Sequence, residues 1–518
     1  MTGTFSILDW LIVAGYLLLL FGMGWAFTFK KSQNAQDYFL GGNKMPYWVV
    51  AISVIATTQS AATFLGGPDQ GYRGNYTYLA VNIGAILASL FVAKILIPKF
   101  YALNVTTVYE LLENRYSKKA MRAAGAMYII GRFFAGGSRL YLAAIAVSMI
   151  LYSNIDAQNI ISAAFILILL GFSVTFLSGI RSILWSDFIQ FIIYTFSAIA
   201  VLYFLLDAIP LNITEIFAAL KQTPTGQNKL QLLNFDLNFT DPYAFISILT
   251  GITLLYIANF GLDQDTTQRL LTCSDDKQGA KALIISAIIA VPLIWLFISI
   301  GQLLHIFYDR PELMNGGAHN IAAQEFQGEK ITIFMYYILN ELPSGLKGLV
   351  TVGVIAAAVS TINSGLNSMS SVIVQDFYRP WREKHSPKDE KHYVRAGQLS
   401  MGVVGLGLFA MAIICFYWQK YSGLPLLDFA LSVMVFAYSG LLGVYFTVLF
   451  TNRGSTNSVI FALIAGFLAT LAQQEYIIDL FQLPNNWKGI AFTWQLCIGT
   501  GIASMVCLIT SNNKNINS

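Results

Sequence analysis

Hydrophobic residues in this chain come in long unbroken runs, and polar positions are gathered into short stretches between them. A helix needs about 20 apolar residues to cross the hydrocarbon core of a bilayer. Runs of that order occupy residues 8–29, 46–66, 76–97, 123–152, 160–176 and 183–206, then 245–261, 283–307, 349–374, 397–418, 426–450, 459–472 and 489–509. The pattern predicts about thirteen spans. It lacks the alternation of a membrane barrel, and lipid leaves the backbone no partner outside a helix or a closed barrel. The chain therefore reads as an all-α polytopic membrane protein, one transmembrane domain over residues 1–518. Residues 8–29 lack a basic segment before the apolar run and a small-residue cleavage site after it, so they count as a span and not a cleaved signal.

The polar stretches set an expected orientation. One alternate set of loops holds Lys30, Lys31 and Lys44; Arg115, Lys118, Lys119 and Arg122; Arg181; Arg269, Lys277 and Lys281; Arg379 through Arg395; and Arg453. The intervening loops are poorer, with Arg73, Lys221, Lys229, Arg310, Lys330 and Lys420 spread over more chain. The positive-inside rule places the first set in the cytoplasm, with the N-terminus outside and the C-terminus inside. Two long connections, 207–243 and 308–347, then fall outside and are expected to carry short helices or gate access. The polar tail 511–518 is expected to be disordered.

Composition closes off other classes. Apolar residues make up 56% of 518 positions, charged residues 11%, and mean hydropathy is +0.61. A soluble chain carries about 25% charged residues. The net charge of +4 is accounted for by the loops and calls for no nucleic-acid partner. Cys273, Cys415, Cys497 and Cys507 are scattered without metal or redox spacing. His305, His319, His385 and His392 form no HExxH pair, and no GxxxxGK[ST] loop is present. Catalysis finds no support, and uphill transport would draw on an ion gradient.

Polar residues inside the spans carry the functional signal. In the second span Thr57, Thr58, Gln59 and Ser60 are consecutive, and no single helix face hides four adjacent polar residues. Either this segment is buried on all sides or the helix opens there. The seventh span ends similarly, in YIANFGLDQD from Tyr256 to Asp265. The two interruptions lie five spans apart, as in inverted five-helix repeats whose broken helices bind substrate and ion at the midplane. The ninth span is rich in hydroxyls, and Ala357, Ser360, Thr361 and Ser364 share one helical face. Hydroxyls and carbonyls freed by an opened helix suit a hard cation such as sodium; the bland alternative is helix packing. Ser368, Ser370 and Ser371 are left out of the ion set. Asp187, near the start of the sixth span, serves either a helix N-terminal dipole or a cation. Arg132 calls for a structural partner, and Arg139 is kept as a candidate for an anionic substrate.

These stretches, in order, resemble the sodium/solute symporter family: DYFLGGNKMPYW from Asp37, the polar second span, TVYELLE from Thr107, WSDFIQ from Trp185, QDTTQR from Gln264, and AAVST from Ala357 with Leu366-Asn-Ser368. The match covers residues 37–450. The resemblance implies a leucine-transporter-like fold, with inverted repeats over residues 46–206 and 245–450, a leading helix at 8–29 and C-terminal helices at 459–509. It implies a sodium site of carbonyls at Ala56, Gln59 and Ala357 with hydroxyls at Ser360 and Thr361. Some members hold a second sodium, for which Asp187, Ser360 and Ser364 fit; Asn363 stands where those members have Ser or Thr. Substrate positions match Ser60, Thr63, Asn82, Tyr256 and Asn259. Thr63 and Asn82 stand where the sugar-carrying branch has glutamine and glutamate, and the arginine of the sialic-acid branch aligns with Ala135, one turn from Arg139. GGPDQGYR from Gly66 resembles the monocarboxylate and iodide branch. The expectation is sodium-coupled symport of a small polar solute across the plasma (inner) membrane, with a preference for a carboxylate or acidic sugar over a neutral sugar or polyol. No oligomer is required. The rivals are a passive channel and a solute sensor; the latter finds no room for a signalling extension after Ile509.

Overall fold

The computed structural model describes residues 5–28, 34–176, 179–314, 325–326, 329–330, 333–422, 424, 426–482, 484 and 488–510. The predicted basic positions Lys30 and Lys31, His319 and the tail 511–518 lie outside them. The chain is helical throughout its apolar runs. A leading helix α1 (Ile7–Thr28) precedes a bent pair, α2 (Tyr47–Thr58) and α3 (Ala61–Arg73), which meet at 63°. Then come α4 (Tyr76–Ala102), α5 (Lys118–Tyr152), α6 (Ala157–Thr175) and α7 (Gly179–Ala208). The second half repeats the order: a pair bent by 57°, α8 (Phe245–Gly261) and α9 (Gln264–Leu270), then α10 (Asp276–Asp309), α11 (Leu346–His385), α12 (Glu390–Ser422) and α13 (Leu426–Phe450). Two shorter apolar helices follow, α14 (Thr456–Ala472) and α15 (Phe492–Leu508). The fold is leucine-transporter-like, with repeats α2/α3 to α7 and α8/α9 to α13.

Most spans run past their apolar cores. The predicted sixth span starts at residue 179 and not 183, so Asp187 lies in the third turn of α7. A helix dipole is felt within the first turn, so the terminal-dipole reading of Asp187 is set aside. The long connections carry short helices as expected: Ile213–Lys221, capped by Asn212 and Glu215, and Ile333–Asn340, preceded by a two-residue strand pair, Glu325–Phe326 with Glu329–Lys330.

Burial sorts the helices. The apolar stretch of α11 is 94% buried, while that of α1 is 22% buried and faces outward. Against α11 pack α1, α2, α5, α6 and α7, so its hydroxyls face protein and not lipid. Small residues let backbones touch where lipid supplies no driving force of its own. The α3–α10 crossing is the extreme case: a Cβ on Gly71 would sit 2.2 Å from Ile298 O, and one on Gly301 would sit 2.0 Å from Pro68 O.

Candidate functional site

Both breaks are made by the polar residues themselves. Thr58 turns its hydroxyl back onto Val54 O and Ile55 O, each at 3.0 Å. Gln59 leaves helical geometry (φ −87°, ψ 88°), and extended Ser60 restarts the helix by accepting from Ala62 N–H at 3.2 Å. In the second repeat, extended Asp263 caps α9 by accepting from Asp265 N–H at 3.0 Å. A loop holds that break in place: Gln264 Oε1 accepts from Val108 N–H at 3.0 Å, and Tyr109 OH donates to Leu262 O at 2.9 Å.

The end of α2 faces the middle of α11. The last carbonyls of a helix have no intrahelical partner, and Ser360 Oγ stands 3.4 Å from Ala56 O. Ser360 also donates to Asp187 Oδ1 at 2.7 Å. The next residue, Thr361, donates to Ala357 O at 3.0 Å, which leaves its oxygen lone pairs free. Gln59, at the break, lines the adjoining cavity, and its buried Oε1 has no partner among the described residues. Ser360 thus meets the end of α2, with Ala357 and Thr361 on the same stretch of α11.

Asp187, Asn363 and Ser364 each have further hydrogen-bond partners. Asp187 Oδ2 accepts from Ser53 Oγ at 2.5 Å and from Arg269 at 3.2 Å. The Asn363 amide turns to α6, where its nitrogen donates to Gly171 O at 2.8 Å and to Thr175 Oγ1 at 3.0 Å. Ser364 donates to Asp265.

Beside this patch lies a buried ionic network that motif reading did not assemble. Arg269 donates to Ser53 Oγ at 2.9 Å, to Asp265 Oδ1 at 2.8 Å and to Asp187. Arg132 on α5 pairs with Asp265 and, at 3.4 Å, with Asp263. Tyr438 on α13 donates to Asp263 at 2.5 Å. The structural partner expected for Arg132 is thus the pair of carboxylates at the α8/α9 break. A buried pair is costly to form and far costlier to break, so the network fixes how α2, α5, α7, α9 and α11 meet. The available signal was charge counting: several charged side chains in apolar surroundings must find one another.

A cavity of about 780 Å³, counting its opening, lies between the two breaks, and Ser60, Thr63, Asn82, Arg139, Tyr256 and Asn259 all line it, with Gln59, Tyr78 and Ser286. The six positions proposed for substrate are therefore brought together. Asn82 spends its amide on Leu79 O at 2.8 Å, while Asn259 Oδ1 has no partner among the described residues. Arg139 is buried, its recorded hydrogen-bond partner is Met434 Sδ at 3.6 Å, and no described carboxylate lies within ion-pair distance of it. Asp428 of α13, next to the lining residue Leu427, accepts from Tyr243 and, at 3.2 Å, from Gln70.

Two broken helices that both line one polar cavity, with a hydroxyl-rich helix packed behind the first of them, are the build of an alternating-access carrier. The chain belongs to the sodium:solute symporter family, whose model matches residues 38–466, so sodium is its co-transported ion. It is 27% identical to a sodium/sialic acid symporter of Proteus mirabilis (strain HI4320), over 90% of each chain. It is 24% identical to the human sodium-coupled monocarboxylate transporter 1, over 90% of this chain and 73% of that one. In three dimensions it resembles the substrate-bound outward-open state of a Na⁺-coupled sialic acid symporter, with a TM-score of 0.81, 24% identity and 97% of each chain covered.

Proposed function

We propose that this protein is a symporter of a small organic anion, a carboxylate or an acidic sugar, driven by the sodium gradient across the plasma (inner) membrane. The observation that carries the reading is Arg139. A guanidinium is always charged, and one held in a cavity without a carboxylate partner is poised for an anionic solute. Ser60, Thr63, Tyr256 and Asn259 offer hydroxyl and amide groups for the rest of the molecule. Two relatives support the choice, since a sialic acid carrier and a monocarboxylate carrier both move acidic solutes.

Sodium is assigned to the patch of Ala56 O, Gln59 O, Ala357 O, Ser360 Oγ and Thr361 Oγ1. Binding there joins the broken α2 to α11 and so fixes the wall of the cavity that Ser60 and Thr63 present. Solute then bridges Arg139 on α5 to the second break, which favours an occluded state. The first two helices of each repeat rock against the rest, opening the site to the side bearing the Lys- and Arg-rich loops, here the cytoplasm. The N-terminus lies outside in this arrangement.

Uptake by proteoliposomes of a panel of carboxylates, acidic sugars, neutral sugars and amino acids, with and without a sodium gradient, tests the proposal. Sodium-dependent uptake of one or more acids is expected. Strong uptake of neutral sugars with none of carboxylates reverses the choice of solute, and large unsaturable currents identify a channel instead.

A further inference from the structure

We propose that the protein has a second small-molecule site, behind the wall of the solute cavity, that binds an organic ammonium compound.

A cavity of about 1150 Å³, counting its opening, lies where the end of α12 and the start of α13 meet the short helix Glu475–Leu480, the start of α15 and the long connection after α7. It shares no lining residue with the solute cavity, but α13 is a wall of both. That helix presents Leu427, Leu431 and Met434 to the solute cavity and Asp428, Phe429 and Ser432 to this one. Thr240 and Pro242 of the long connection line it, so in the orientation proposed above it opens to the outside.

Three features define what it takes. The first is charge. Asp428, Glu475 and Asp479 line the cavity, and no described cationic side chain does. Lys488 pairs with Asp479. The recorded partners of Asp428, Tyr243 and Gln70, are neutral, and Glu475 has no ion-pair partner among the described residues. The site therefore holds an excess of negative charge that a cation balances.

The second is a corner of aromatic rings. Trp418 and Tyr476 stand at 82° with centroids 6.4 Å apart, and Tyr421 and Tyr476 at 67° and 6.5 Å. Rings set steeply to one another at the edge of a cavity offer π faces from more than one side, as the aromatic cages of ammonium sites do. Trp and Tyr also gather in belts at membrane interfaces, but a belt faces lipid, and these three line a cavity together with carboxylates.

The third is an amide oxygen that lacks a donor. Gln473 spends its nitrogen on Ala469 O at 2.8 Å, and its buried Oε1 has no partner among the described residues. Its neighbours in the lining, Gln474 and Gln495, are bonded to each other at 2.8 Å. An ammonium N–H supplies the missing donor. A sugar would satisfy the amide and leave the charge uncompensated. The ammonium group comes either from a free amine or from an ethanolamine lipid headgroup, and its chemistry is the same in both.

The test is calorimetric titration of the purified full-length protein in neutral detergent with n-butylammonium, with n-butanol as the uncharged control. Saturable binding of the amine and none of the alcohol is expected. Tyr421→Ala, at an exposed ring, should weaken it about tenfold, and Glu475→Gln about threefold, with sodium-driven solute uptake unchanged in both. Displacement of the amine by dihexanoyl phosphatidylethanolamine but not by the phosphatidylglycerol analogue assigns the site to a lipid headgroup, and displacement by neither assigns it to a free amine. Displacement by both marks an apolar site and overturns the proposal. Absence of saturable binding, equal binding of the alcohol, or binding that neither substitution weakens overturns it as well.

Discussion

Replacing Thr361 with alanine separates an ion ligand from a packing hydroxyl. Thr361 is buried, and the hydrogen bond recorded for its hydroxyl runs back to Ala357 O of its own helix at 3.0 Å. A net hydrogen bond of that kind is worth about 0.5–1.5 kcal/mol, and the helix keeps its backbone bond without it. Thr361→Ala should therefore lower stability by roughly 1 kcal/mol. As a sodium ligand the same oxygen makes an ion-assisted contact, worth about 1.5–3 kcal/mol. At about 1.4 kcal/mol per tenfold, half-saturation by sodium should rise by roughly tenfold to a hundredfold. Thr361→Ser, which keeps the oxygen, should stay close to wild type. Initial uptake rates in proteoliposomes at graded sodium and saturating solute give the affinity, and thermal unfolding in detergent gives the stability. A folded Thr361→Ala protein with wild-type sodium activation would refute the placement of the ion on α11.

Arg139→Gln should raise KM for acidic solutes about tenfold to a hundredfold, the loss of one charge-assisted contact, while sodium binding without solute is unchanged; equal loss for neutral and acidic solutes would count against an anion at this position. Gly301→Ala forces α3 and α10 apart where a Cβ would meet Pro68 O at 2.0 Å, and overpacking of this kind costs about 1–3 kcal/mol or more, so the monodisperse fraction on size exclusion should fall sharply. Lys229, in the long loop after α7, donates to Tyr72 O at 2.7 Å and Gly74 O at 2.9 Å, and burial pushes its pKa down to about 8. Its folded form binds fewer protons than the unfolded chain between about pH 8 and the ordinary lysine value of about 10.4, so stability contributed by this group should rise with pH through that window; Lys229→Gln should flatten that component of Tm against pH, and an unchanged profile would refute it.

The fold was legible because lipid leaves so few options. Once the apolar runs were counted, helices and their approximate limits followed, and four adjacent polar residues at Thr57 to Ser60 marked a break that the backbone makes at Gln59. The hydroxyl face of α11 was legible for the same reason, as periodicity on a long helix survives errors in its ends. What could not be read was convergence. Arg132, Asp187, Asp263, Asp265 and Arg269 come from α5, α7 and the α8/α9 break, and beyond the i,i+4 pair of Asp265 and Arg269 no spacing links them. Arg269 was read as a loop cation and as the end of the QDTTQR stretch, yet it is fully buried on α9. Asn363 was placed near an ion by the resemblance alone, and in the structure its amide packs against Gly171 on α6. Helical phase gives a direction within a helix, but the neighbour met in that direction depends on how two helices cross.

The ionic network also explains how an ion and a solute that never touch would be coupled. Ser360, which faces the proposed sodium, bonds to Asp187; Asp187 bonds to Arg269; Arg269 and Arg132 share Asp265, and Asp265 opens the helix whose preceding turn carries Asn259 into the cavity. Each link is buried, and breaking the Asp187–Arg269 pair would leave Asp187 without its cationic partner. An empty ion patch leaves the network with one negative charge too many, and an empty cavity leaves Arg139 unpaired. Either defect alone is a net charge in a low-dielectric interior, and the two together are opposite charges that partly offset each other. Movement between the two sides of the membrane is then easiest with both passengers aboard or with neither, which is the condition for symport without leak. On this argument coupling resides in charge balance around the two breaks, and restoring neutrality by mutation, as Asp263→Asn would, should loosen the dependence of solute uptake on sodium.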